Sequence, residues 1–192
     1  MRILPVLGFL LISSCFTLSL KANDLIKDKS PDGKFALRIV NEEDWEAAII
    51  EVRTKKKVMD LETYGSYTKE AQLVWSKDSK RVAHFEPDRR GGMTHIYFRS
   101  GSKFQEVQFP YADIPECDAP AKQDGDEYLK TLEYSVAPVR WLKSGALVLA
   151  VFNQWLMKSG NSPECSETVT IAFDANRKAS VESVKDKKLE RE

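Results

Sequence analysis

The segment WSKDSKRVAHF (residues 75–85) decides the fold, because closely similar text occurs twice more in the chain. SPDGKFALRIV (30–40) precedes it and RWLKSGALVLAVF (140–152) follows it. Each copy has a turn position followed by Gly or Ser, and these turn positions are Asp32, Asp78 and Ser144. Asp before Gly or Ser favours a tight turn, because its carboxylate accepts backbone N–H bonds. The text after each turn is rich in β-branched and aromatic residues, so each copy predicts strand, turn and strand.

A second hairpin follows each first one and makes the copies into repeats of one unit. The second hairpins are IIEVRTKKKVMDL (49–61), IYFRSGSKFQEV (96–107) and VTIAFDANRKASV (169–181). The two turns lie 21 residues apart in the first two repeats and 30 apart in the third. The repeats span about 25–62, 70–109 and 134–184. Each is predicted as four short antiparallel strands, which is the build of a propeller blade. A β-sandwich made of turn-rich hairpins is the alternative.

The turn segments resemble the blade motif of TolB-like (PD40, WD40-like) β-propeller repeats, whose signature is approximately W-S-P-D-G-K-x-I-A-F. W-S-K-D-S-K-x-V-A-x-F and S-P-D-G-K-F-A carry this resemblance. It implies an all-β fold of three four-stranded antiparallel propeller-like blades, in a partial or distorted propeller, because closed propellers commonly have four to eight. The first repeat departs from the motif, since Lys29 stands where the others have Trp75 and Trp141. The third repeat lacks the turn aspartate. The motif specifies fold rather than activity.

The first 22 residues predict a secretory signal peptide, because Arg2 is followed by the apolar run 3–12 and by Ala22 at a cleavage point. That run is shorter than the roughly 20 residues that a membrane-spanning helix needs. We therefore expect a secreted or periplasmic protein. The alternative is a lipoprotein anchored through Cys15, because I-S-S-C at 12–15 resembles a bacterial lipobox, and only then would a membrane be a partner.

The remaining chain predicts one domain, 23–184, followed by a charged tail, 185–192. Without Arg2 and Lys21, 27 basic side chains face 29 acidic ones, so no nucleic acid partner is expected. Helix is expected only marginally, around 126–132 and in the tail. If three units leave the propeller open, a second subunit would complete the ring.

Two insertions distinguish the later repeats from the first. PYADIPECDAPAKQDGDEY (110–128) separates the second and third repeats, and WLMKSGNSPEC (155–165) lies inside the third. They contain Cys117 and Cys165. In a propeller, the loop between blades and the loop between a blade's second and third strands emerge on one face. The implied topology therefore predicts a disulfide between the two cysteines, closing about 49 residues and stabilising the fold by roughly 4 kcal/mol. Free thiols or a metal are the poorer alternatives.

The same face, here called the rim, also receives the loops 41–45, 62–70 and 86–92. The predicted binding residues of the rim are Trp45, Tyr64, Tyr67, Arg89, Arg90, Tyr111 and Trp155. Aromatic rings beside charged groups form effective contact surfaces, although each ring has burial under the loops as its alternative. We expect an exported, non-catalytic binding or scaffold protein that uses this disulfide-stapled face to hold a protein, peptide or glycan partner in the cell envelope.

Catalytic motifs are scarce in the sequence. No serine lies in a G-x-S-x-G motif. His84 and His95 lie on adjacent predicted strands of one repeat, where a structural role is favoured and metal binding would require carboxylates. The acidic segment D-G-D-E (124–127) lacks the twelve-residue calcium pattern. We therefore predict no catalytic residue, no metal site and no cofactor. The alternative function is a secreted carboxylate-dependent hydrolase acting on sugars through the acidic insertion.

Overall fold

The computed structural model describes residues 23–41, 44–114 and 126–187. The predicted leader with Cys15, and also Cys117, lie outside the described residues. Within the described ranges, no helix has the length and apolar character needed to cross a membrane. The predicted all-β class is confirmed: twelve strands and two short 3-10 helices make up the regular structure of these ranges.

The strands form two sheets, and three consecutive groups of four strands correspond to the three repeats. The first unit contains β1 (Asn23–Lys27), β2 (Phe35–Asn41), β3 (Trp45–Glu51) and β4 (Lys57–Leu61) in a four-stranded antiparallel sheet. The second unit contains β5 (Gln72–Trp75), β6 (Arg81–Asp88), β7 (Gly91–Ser100) and β8 (Lys103–Val107). The third unit contains β9 (Tyr128–Trp141), β10 (Leu147–Met157), β11 (Glu164–Phe173) and β12 (Ala179–Lys187).

The second and third units share one eight-stranded sheet. Within each unit, consecutive strands pair antiparallel, and a short parallel pairing of β7 with β9 joins the two units. The 3-10 helices Gly65–Glu70 and Tyr111–Asp113 lie in the connections between units. The described strands do not close into a barrel or a ring.

The first turn of the first unit and that of the second have the aspartate chemistry that the sequence predicts. The hydroxyl of Ser30 donates to the carboxylate of Asp32 (2.7 Å), which also accepts the backbone N–H two residues further on (3.1 Å). Ser76 and Asp78 make the same two bonds, at 2.7 and 3.0 Å. Burial alone would raise the pKa of both carboxyl groups, but these hydrogen bonds hold each pKa below the usual 3.8. Ser79 takes the left-handed conformation (φ 57°).

Tryptophans at one repeat position link neighbouring units. The indole N–H of Trp75 donates to the backbone carbonyl of Asp28 in the first unit (2.8 Å). The indole N–H of Trp141 donates to the carbonyl of Val74 in the second unit (2.9 Å). Asp28 and Val74 precede equivalent positions of the repeat, so the same bond recurs at both junctions. Lys29 occupies the tryptophan position of the first unit.

Apolar side chains fill the space between neighbouring units, in two core clusters. One contains Phe35, Leu37, Ile39, Ala47, Ile49 and Leu61 of the first unit with Leu73, Val82 and Tyr97 of the second. The other contains Ala83, Ile96, Phe98 and Val107 of the second unit with Val136, Leu147, Leu149, Val151, Val169 and Ile171 of the third. Val82 and Ala83 are neighbours in sequence and belong to different clusters, as the two-residue period of a strand requires. The second unit therefore buries both faces of its sheet.

The third unit extends further than the sequence predicts. β9 begins at Tyr128, where a short helix was the expectation, because β10 runs on to Met157 and pairs with it. The residues 155–157, assigned to an insertion loop, are therefore part of a strand. β12 continues to Lys187, three residues beyond the predicted end of the domain.

Candidate functional site at the rim

The two insertions contact each other at the rim. The backbone N–H of Lys158 donates to the carbonyl of Glu127 (2.8 Å), and the Lys158 ammonium pairs with the Glu127 carboxylate (2.8 Å). The backbone N–H of Ser159 donates to the carboxylate of Asp126 (3.1 Å), and the Ser159 hydroxyl donates to it as well. These bonds lower the pKa of Asp126 below its usual value. Cys117 is not among the described residues, so the predicted disulfide stays a prediction.

A cavity of about 760 Å³ lies between the second and third units beside these contacts. This rim pocket is lined by Met93, Tyr111, Ala112, Tyr128, Thr131, Tyr134, Asn153 and Trp155. Its volume falls within the range of about 300 to 1,000 Å³ that is common for small-molecule sites. Among the described residues that line it, none is Asp, Glu, Lys, Arg or His. The pocket therefore suits a neutral group with apolar surface and a few hydrogen-bonding atoms.

Close approach of β7 to β9 forms one wall of the rim pocket. A Cβ atom at Gly91 (φ 129°) would lie 2.0 Å from the carbonyl oxygen of Tyr134, so this position accepts only glycine without a shift of the backbone. The backbone N–H of Tyr134 donates to the carbonyl of Arg90 (2.8 Å). On the other side, the Tyr111 hydroxyl donates to the carbonyl of Thr94 (2.6 Å). The Tyr111 ring is thus fixed by its hydroxyl to β7, and the backbone of Tyr134 is fixed to the turn before β7.

The rim pocket brings together two of the seven predicted binding residues, Tyr111 and Trp155. Trp155 is only 4% exposed and serves as a wall of the pocket. Its indole packs against Met157 and the half-buried Cys165. Tyr111 is half-buried and its ring contacts Phe109, with 4.2 Å between centroids. For these two aromatics, packing and pocket lining are both observed.

The other five predicted residues do not line the rim pocket. Trp45 packs against the core between the first and second units. Tyr64 is 58% exposed and Tyr67 is half-buried, both at the 3-10 helix between those units. Arg89 and Arg90 are exposed in the turn between β6 and β7. Arg90 contacts the lining residue Tyr134 through its backbone carbonyl, which accepts the Tyr134 N–H.

Sequence reasoning missed most of the pocket lining. Tyr128 belongs to the acidic insertion and Tyr134 to the start of the third repeat, and neither has a motif around it. Asn153 is a buried polar residue within the apolar run of β10 and is the one signal that the sequence offered. A polar residue in such a run is a candidate for a site, because burial of an amide requires compensation.

A histidine with three carboxylates forms a second feature at the junction of the first two units. The Nε2 atom of His95 lies 3.0 Å from Glu86 and 3.7 Å from Glu62, and its Nδ1 atom lies 3.1 Å from Glu106. We call these four residues the His95 cluster. Glu86 and Glu106 come from the strands on either side of β7, diagonally across from His95, and Glu62 follows the last strand of the first unit. In the described part of the chain, Glu62, Glu86 and His95 are the group with metal-ligand spacing.

His84 lies beside this cluster. The two-residue turn of Arg89 and Arg90 sets a register in which His84 is directly opposite His95, and the ring centroids are 5.9 Å apart. The expectation that the two histidines approach each other is confirmed. His84 is fully buried, and neither ring nitrogen has a hydrogen-bond partner among the residues that the structure describes. Burial, with a smaller effect of His95, lowers the pKa of His84 to about 3, so its ring is neutral.

The rim pocket and the His95 cluster both use residues of β7, Met93 in the pocket and His95 in the cluster. Tyr111 in the pocket bonds to the carbonyl of Thr94, next to His95 in the sequence. Burial raises the pKa of the Tyr111 phenol, and the nearby Tyr134, Glu86 and Glu106 raise it further. Tyr111 therefore keeps its proton and remains a hydrogen-bond donor at neutral pH.

Comparisons with known proteins give structural likeness but no sequence relative. No protein-family model matches the sequence, and no curated protein matches it. Among solved structures, the chain is similar to the crystal structure of TolB from Acinetobacter baumannii, with a TM-score of 0.35 and 9% identity. The match covers 85% of this chain and 41% of the TolB chain. The chain therefore spans less than half the length of that protein.

Proposed function

We propose that this protein is an exported, non-catalytic binding protein that holds a peptide segment of an envelope partner in the rim pocket. The observation that carries this proposal is the pocket itself, a cavity of about 760 Å³ whose described lining contains four aromatic rings and a methionine and no Asp, Glu, Lys, Arg or His. Tyrosine, tryptophan and methionine are enriched where proteins grip a partner's anchor side chain. A glycan is the alternative ligand, and export rests on the predicted leader.

The scaffold for this pocket is proposed to be three propeller-like blades in an open arc. Three consecutive four-stranded antiparallel units and the repeated tryptophan bond between them support this arrangement. Lys29 supports an arc that is open at the first unit. It is an exposed cation at the position where Trp75 and Trp141 donate their indole N–H to the preceding unit. The insertions of the third unit and of its linker then supply the pocket.

The hydrolase alternative receives no support from the described end of the acidic insertion. Such an enzyme needs two carboxyl groups that face each other across a cleft, roughly 5 to 10 Å apart. Asp126 and Glu127 instead bind Ser159 and Lys158 of the turn between β10 and β11. Their oxygens hold the two insertions together.

Photo-crosslinking tests the proposed function with a matched pair of positions. A benzophenone amino acid replaces Tyr128, which is 46% exposed and lines the pocket, or Val139, which is 47% exposed and does not. In the native envelope fraction we expect an adduct from position 128 alone. Thr131→Trp, which fills the pocket, should abolish it.

Digestion of the adduct identifies the ligand class. A protease-sensitive, glycosidase-resistant adduct is the result expected for a peptide, and the reverse sensitivity would assign a glycan and refute the peptide. Equal adducts from positions 128 and 139, or an adduct that survives Thr131→Trp, would refute the pocket as the binding site.

A further inference from the structure

We propose that Glu62, Glu86 and His95 bind a divalent transition-metal ion, with Zn²⁺ as the ion that best fits the donor set. This proposal does not depend on the rim pocket or on its ligand. The three donors come from two units: Glu62 follows the first, and Glu86 and His95 lie on adjacent strands of the second. Each residue offers one ligand atom, and these three atoms all lie within 4.8 Å of one another.

Hydrogen bonding alone leaves the His95 cluster with a conflict. Carboxylate oxygens stand at both ring nitrogens of His95, 3.1 Å from Nδ1 and 3.0 Å from Nε2. A neutral imidazole has one N–H and can donate to only one of them. The second contact therefore requires an imidazolium, a protonated carboxyl group or a cation between Nε2 and its carboxylates.

The charges around His95 favour the cation. Glu62, Glu86 and Glu106 all surround this one ring, and no ion pair with Lys or Arg is found for any of them in the described ranges. An imidazolium supplies one positive charge to three carboxylates. A divalent ion with a neutral imidazole supplies two, and it also uses the lone pair of Nε2 as a ligand.

The distances agree with tetrahedral coordination. Zn²⁺ binds imidazole nitrogen and carboxylate oxygen at close to 2 Å, which places neighbouring ligand atoms about 3.3 Å apart. The separations of 3.0 and 3.7 Å from Nε2 lie on either side of this value. Imidazole argues against Mg²⁺ and Ca²⁺, which prefer oxygen ligands. Three protein ligands leave a fourth position for water.

Glu106 and His84 complete the surroundings of the proposed site. With a metal at Nε2, Nδ1 would donate to Glu106, and such a bond fixes the tautomer and the orientation of a metal-binding histidine. His84 lies fully buried beside His95, and in the described part of the chain neither of its ring nitrogens has a hydrogen-bond partner. The side chain of Glu62 is 68% exposed and leaves a path for the ion from solvent.

Zinc titration tests this inference. The purified, tag-free protein is stripped with EDTA, dialysed, and titrated with Zn²⁺ in competition with a chromogenic chelator. We expect one Zn²⁺ per chain with micromolar or tighter affinity. His95→Gln and Glu86→Gln should weaken binding at least 100-fold, and Glu62→Gln at least 10-fold. Glu106→Gln should weaken it about 10- to 100-fold by releasing the ring.

The controls separate loss of a ligand from loss of the fold. Glu46→Gln removes an exposed carboxylate of β3 outside the cluster and should leave the affinity unchanged. Circular dichroism and thermal melting check each variant, and Glu62→Gln decides the question if His95→Gln fails to fold, because Glu62 is exposed. The inference is overturned if no stoichiometric Zn²⁺ binds, or if Glu62→Gln and Glu86→Gln bind it as tightly as the parent protein.

Discussion

Replacing Trp75 or Trp141 with Phe tests whether the recurring indole bond holds the units together. Each change removes one N–H···O bond between units, of 2.8 or 2.9 Å, and leaves a backbone carbonyl without that donor. Loss of such a bond costs about 1 kcal/mol. The smaller ring removes a further 1 to 2 kcal/mol, roughly, from a packed site. We therefore expect each variant to lose about 2 to 3 kcal/mol of unfolding free energy.

Urea unfolding followed by circular dichroism measures this loss, and Trp45→Phe is the matched control. Trp45 also packs against the core between the first two units, but no hydrogen bond of its indole N–H is found within the described ranges. Its replacement should cost only the packing contribution. The reasoning is refuted if Trp75→Phe and Trp141→Phe cost no more than Trp45→Phe. If the proposed arc is open at the first unit, Lys29→Trp should change stability by less than about 0.5 kcal/mol, as expected for an exposed position.

Three further predictions concern the buried His84 and the two insertions. In EDTA, lowering the pH from 7 to 5 should reduce the unfolding free energy by about 2 kcal/mol more in the parent than in His84→Leu. The pKa of His84 is about 3 in the folded protein, below the usual 6.5, so the unfolded chain takes up the proton first. Equal pH slopes of the two proteins would contradict this. Non-reducing peptide mapping should find Cys117 joined to Cys165, whereas two free thiols in exported protein would disprove the bond. Asp126→Ala should speed tryptic cleavage after Lys158 several-fold, since it releases the β10–β11 turn, and an unchanged rate would exclude that restraint.

The hairpins were predictable because their determinants are local. Asp32 and Asp78 lie in turns that are closed by hydrogen bonds spanning two to five residues, so the sequence around them is sufficient to predict the turns. The same locality applies to the histidines. A two-residue turn at Arg89 and Arg90 fixes the pairing of the strands on both sides, and the pairing then places His84 opposite His95.

The sites were less predictable because they depend on contacts between units. Glu62 approaches His95 from another unit, and no spacing in the sequence encodes that approach. The pocket needs the parallel pairing of Gly91 with Tyr134, which joins residues 43 positions apart. The segment 126–132 suggested helix, but pairing with the extended β10 overrides such a weak local preference.

The two proposed sites lie at different junctions, so they should fail separately. The His95 cluster combines Glu62 of the first unit's end with the second unit, whereas the rim pocket lies between the second and third units. A change that loosens one junction should therefore impair one site and spare the other. We expect Trp75→Phe to weaken Zn²⁺ binding while the crosslink from Tyr128 persists, and Trp141→Phe to do the reverse. Zinc titration and crosslinking of the same two proteins check this. If either variant impaired both sites equally, the units would act as one cooperative body, and the separate stacking of repeats would be the wrong description of this chain.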